Sequence, residues 1–106
     1  MDRQAEASDL ADALESLRIG RLSEDAFRAK YQHDENAALA NLIWPNLEHY
    51  LADGDIRERD AAYRTMQDAD MQRLVTLLRT GAPDSELTKI HFLNFTAENR
   101  FNTYHR

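Results

Sequence analysis

The chain has 106 residues, about one domain, and at that length it buries enough surface to fold without a metal or a disulfide. It carries 19 acidic and 13 basic residues, a net charge of −6, and no cysteine. These totals exclude disulfides, thiolate metal sites and cysteine nucleophiles, and they disfavour nucleic-acid binding, which draws its phosphate affinity from clustered Lys and Arg.

The opening residues Met1-Asp2-Arg3-Gln4-Ala5-Glu6 have neither the basic start nor the apolar run of a signal peptide. No stretch approaches the roughly 20 apolar residues of a membrane span. A cytoplasmic location without membrane association is the expectation.

Leu10, Ala13, Leu14 and Leu17 fall at i, i+3, i+4 and i+7. That spacing predicts a helix over residues 4–18, with Gly20 placed for a left-handed C-terminal cap. Ser23 followed by Glu24 and Asp25 marks the next start, because exposed N–H groups and the helix dipole both favour oxygen and negative charge. Phe27 and Tyr31 then share one face of a short helix over 24–32, and residues 33–36 turn the chain.

Residues 37–51 are the most apolar part, with Leu39, Leu42, Ile43, Trp44, Leu47, Tyr50 and Leu51. Pro45 lacks an N–H and crowds the carbonyl of Asn41, so the helix bends or breaks there, or a new one starts with Pro45 in its first turn. Residues 52–55 read as a turn. Asp55 and Glu58 are spaced as a capping box for the longest helix, over 56–80, which Gly81 and Pro83 end. Asp84 and Ser85 can cap a short helical segment over 86–93, with a strand over 90–93 as the alternative.

The sum is an all-α fold: a small bundle of four or five helices forming one domain over residues 1–93, then a tail over 94–106. Phe95, Phe101 and Tyr104 make that tail aromatic enough to dock on the body or on a partner. Leu14, Leu17, Phe27, Tyr31, Leu42, Trp44, Leu47, Met66, Leu74 and Leu78 are the expected core.

Catalytic chemistry finds little purchase. His33, His49, His91 and His105 are scattered without a compact metal-ligand spacing. Asp53-Gly54-Asp55 matches only a fragment of a calcium loop and lacks its remaining ligands. The three glycines lie too far apart to cradle a phosphate, and no serine sits in a nucleophile elbow. Neither an enzyme nor a bound cofactor is expected.

Charge is the remaining signal. Residues 48–70 hold seven acids against three bases, whereas residues 71–106 are net positive. Asp53, Asp55, Glu58, Asp60, Asp68 and Asp70 all fall within this acidic stretch. One reading is a solvated helix face balanced by Arg57, Arg59 and Arg64. The other is a docking surface for a cationic protein, since complementary charge speeds encounter and selects partners.

Two stretches, Trp44-Pro45-Asn46-Leu47-Glu48-His49-Tyr50-Leu51-Ala52-Asp53-Gly54-Asp55-Ile56-Arg57 and Tyr63-Arg64-Thr65-Met66-Gln67-Asp68-Ala69-Asp70-Met71, resemble the texture of immunity proteins of bacterial toxin systems. The resemblance extends over most of the chain through size, acidity and short helices. It implies a protein that neutralises a cognate toxin domain, often a basic nuclease, by capping it with an acidic surface. It assigns no individual binding residue. The alternative is a helical scaffold or regulatory subunit, a homodimer through the Trp44–Leu51 surface among its forms.

Overall fold

Helix α1 (Arg3–Arg18) begins where the Asp2 carboxylate accepts the backbone N–H of Ala5 at 2.9 Å. It ends in a Schellman turn: Gly20, at φ 84°, lets the N–H of Arg21 reach back to the carbonyl of Ser16. The computed structural model describes residues 2–92. Over that range the chain is all-α, with α2 (Glu24–Tyr31), α3 (Ala38–Ala52), α4 (Gly54–Arg59), α5 (Ala61–Arg79) and α6 (Asp84–Leu87). Four of the six helices have eight or more residues, and no strand occurs among the described residues. None of the helices is long and apolar enough to cross a membrane.

Several local expectations need correction. Residues 56–80 are not one helix, because the chain breaks at Asp60, with φ −127° and ψ 103°. Asp60 caps α5 by accepting the N–H of Tyr63 at 3.0 Å. The Asp55 capping box is absent: Asp55 lies inside the first turn of α4, which has no side-chain cap. Neither Asp84 nor Ser85 caps the next helix, because α6 starts earlier than the expected 86–93 segment, after Pro83, and holds both residues within it. Pro45 leaves α3 a single element. Residues 90–92 form no strand, and the tail with Phe95, Phe101 and Tyr104 lies outside the described residues.

The bundle is organised on α1 and α5, which run antiparallel and make the most extensive helix–helix interface. Gln4 donates to the Leu78 and Arg79 carbonyls at one end, and Arg18 grips Asp68 at 3.1 Å towards the other. Leu10, Leu14, Leu74 and Leu78 are buried between them and against Phe27, Ile43 and Leu47 from α2 and α3. Of the expected core, Leu17, Leu42 and Trp44 are half-buried and packed on its edge. Met66 is also half-buried but lies outside the cluster, because the inward face of α5 runs through Gln67, Asp70 and Met71.

Those two polar core positions hold the C-terminal segment. Gln67 is 0% exposed and donates to the Phe92 carbonyl at 3.1 Å. Asp70 accepts the backbone N–H of the same residue. Phe92 is clamped from both sides in a left-handed conformation, φ 63°, that bulky residues rarely adopt, while its ring packs on Tyr50 at 5.5 Å.

Candidate functional site

The six carboxylates expected at a docking surface occupy very different environments. Asp53 is half-buried and accepts from the Tyr63 hydroxyl at 2.6 Å and from Gln67 Nε2 at 3.1 Å. Gln67 Oε1 in turn accepts from Arg57 at 2.6 Å, and the Arg57 guanidinium lies 3.8 Å over the Tyr50 ring. Asp60 is spent on the α5 cap. Asp68 bridges to Arg18 and accepts from Gln72 at 2.9 Å. Asp70 is 2% exposed, with burial pushing its carboxyl above the usual range against the pull of Arg73 3.0 Å away.

Asp55 and Glu58, on the short helix α4, are the exposed members of the set. Asp55 faces Arg59 at 3.7 Å, a pair too solvated to fix either side chain. Four of the six carboxylates therefore serve the fold. Reversing charge at Asp60 and Asp68, innocuous for exposed acids, removes a helix cap and an α1–α5 bridge here.

The apolar stretch over Trp44–Leu51 also turns inward. Leu47, Tyr50 and Leu51 are buried. Trp44 stacks on Phe27 at 5.9 Å and donates to Glu48 at 3.2 Å. Glu48 is gripped by Arg28 at 2.7 Å, which holds the Glu48 carboxyl below the usual range. Among the described residues Ile19 is the large hydrophobic side chain left exposed.

A second concentration of acids appears where helices converge. Glu6 and Asp9 of α1, Lys30 and Tyr31 of α2, and Asp34 of the following turn line a cleft of about 530 Å³ with Leu10 in its wall. That volume lies within the roughly 300–1,000 Å³ range of ligand sites. Asp9 and Asp34 are exposed. Glu6 is fixed by accepting the backbone N–H of Leu39 at 2.9 Å. The local signal in the sequence is the net −4 of residues 1–35, nine acids against five bases. Its closure around Tyr31 depends on α2 folding back against α1, which no spacing reveals.

Among the described residues no group of three or more His, Cys, Asp or Glu is arranged to hold a metal ion. His49 is exposed in the last turn of α3, with Asp53 turned towards Tyr63 and Gln67. The surface chemistry on offer is that of acceptors: exposed carboxylates around a concave wall and on α4. Comparison with known protein families, characterised proteins and solved structures found no match to this chain.

Proposed function

We propose that this chain is a non-catalytic binding protein that neutralises a basic toxin domain by direct contact. The observation that carries this reading is charge. The chain is net −6, and Asp9, Asp25, Asp34, Glu35, Asp55 and Glu58 are exposed acids on a helical surface. Such a surface attracts a cationic protein over a distance and discriminates against acidic ones. A homodimer through Trp44–Leu51 has less support, because that stretch is used by the core.

The test starts with affinity capture from the native host, with bound proteins identified by mass spectrometry. Association of the purified partner is then timed at low and high salt, and its activity is assayed with and without this chain. Association should slow as salt rises, because steering is screened within about 8 Å at physiological ionic strength. Asp55→Lys with Glu58→Lys should slow it further at low salt and leave folding intact. A partner whose association ignores both salt and charge reversal, or whose activity survives saturation with this chain, removes the proposal.

A further inference from the structure

The cleft between α1 and α2 contains a polar group with no partner. Tyr31 is 8% exposed, and among the described residues its hydroxyl makes no hydrogen bond. Every fully enclosed side-chain nitrogen or oxygen among those residues has a partner, so the Tyr31 oxygen is not enclosed; it opens on the cleft that the residue lines. Burial raises the tendency of this phenol to stay protonated, and the charges of Asp9, Asp12, Glu6 and Asp34 add to it. These carboxylates are near enough to act on the hydroxyl through space, yet none bonds to it. Glu6, Asp9 and Asp34 line open volume instead of closing on one another, while Asp12 lies outside the cleft, paired with Arg79.

A site of this kind offers acceptors: ionised carboxylates accept only, and a phenol oxygen accepts while donating once. The carboxylates do not converge as they would on a metal ion. The complement is an organic cation with several N–H donors spread in a plane, for which a guanidinium is the natural fit. Lys30 Nζ already lies 5.4 Å from the centroid of the Tyr31 ring, a cation held at the edge of this site. Lys30 lines the same cleft and forms no ion pair within the described residues, so it acts as a tethered cation waiting on the rim.

We propose that the cleft lined by Glu6, Asp9, Tyr31 and Asp34 receives an arginine side chain from the protein partner, with Lys30 as the internal competitor. The source of the arginine rests on the reading of the chain as a binder of a basic protein; the chemistry of the cleft does not.

The experiment is a titration of isotope-labelled protein with arginine blocked at both ends, followed by NMR at the Tyr31 ring and the Lys30 side chain. Saturable shifts confined to the cleft are expected, with blocked norleucine giving none. Tyr31→Phe should weaken binding about tenfold, as loss of a hydrogen bond to a charged group does. The exposed pair Asp9→Asn with Asp34→Asn should weaken it further, and Lys30→Met should strengthen it. The amide spectrum of each variant reports whether the fold is retained. No saturable shift, or equal affinity for wild type and the Asp9→Asn, Asp34→Asn pair, overturns the proposal. Free arginine binding more tightly than the blocked form overturns the partner as its source. A basic partner that binds the Asp pair variant as well as wild type overturns the cleft and leaves the toxin-binding reading in place. Blocked-arginine binding alongside a partner indifferent to salt upholds the cleft and removes that reading.

Discussion

Glu6 Oε2 accepts the backbone N–H of Leu39 at 2.9 Å, across 33 residues of sequence. Leu39 is the second residue of α3, a helix whose own cap position is Ala37 and carries no side-chain acceptor. A carboxylate from α1 thus supplies the negative oxygen that the start of α3 lacks, and it fixes the angle between the two helices at the edge of the cleft. Glu6→Ala should cost about 0.5–2 kcal/mol, the usual range for a lost N-terminal cap. Urea unfolding checks this, and hydrogen exchange at Leu39 should accelerate more than at residues of α5.

Gln67 should be more sensitive than its polarity suggests. Its buried amide contacts the half-buried Arg57, Asp53 and Tyr63 and the Phe92 carbonyl in one cluster. Gln67→Leu keeps the bulk but strips Arg57 and Phe92 of these bonds. A loss of about 1–3 kcal/mol is expected, set by the desolvated groups left behind and not by the mean worth of a hydrogen bond. Chemical denaturation measures it, and an unchanged midpoint would mean that water replaces the amide.

Leu74 is 1% exposed at the α1–α5 interface. Leu74→Ala should destabilise by about 2–5 kcal/mol, combining lost transfer energy with the cavity left in the core. Met66→Ala, on the same helix but outside the core cluster, should cost clearly less; the two unfolding midpoints compared side by side decide it.

Asp70 gives a pH signature of defined sign. Burial raises its carboxyl above 3.8, so in the folded state it holds its proton to higher pH than in the unfolded chain. Between those two values the folded state binds more protons, and this group's contribution to stability falls as pH rises. Glu15 and Glu48, both lowered by arginine partners, work in the opposite sense: their contribution is present above 4.5 and is lost as pH falls through their folded values. Asp70→Asn removes only the first effect. The stability difference, variant minus wild type, should therefore grow as pH rises above 3.8 and level off once Asp70 ionises in the folded wild type. Urea titrations across that range test the direction.

The all-α class was legible in the chain, because apolar spacing and glycine stops are local quantities. Ser23 accepts the N–H of Ala26 at 3.0 Å as its position predicts, whereas the caps at Asp2 and Asp60 carry no such mark and the expected ones at Asp55 and Ser85 do not form. Gly81 at φ 77° ends α5 where expected. What spacing could not reveal was which polar residues face inward. Gln67 and Asp70 occupy core positions of α5, so the apolar pattern there is interrupted and points to Met66 in their place. The two are tolerated because Phe92, distant in sequence, returns to meet them with its backbone. The acids followed the same logic. A charge tally located them, but their availability depends on partners such as Arg18 for Asp68 and Tyr63 for Asp53, supplied by other elements. Only the packing of α2 against α1 turned Glu6, Asp9 and Asp34 from separate surface charges into the wall of one cleft, because a tertiary contact, unlike a helical period, leaves no regular mark in the chain.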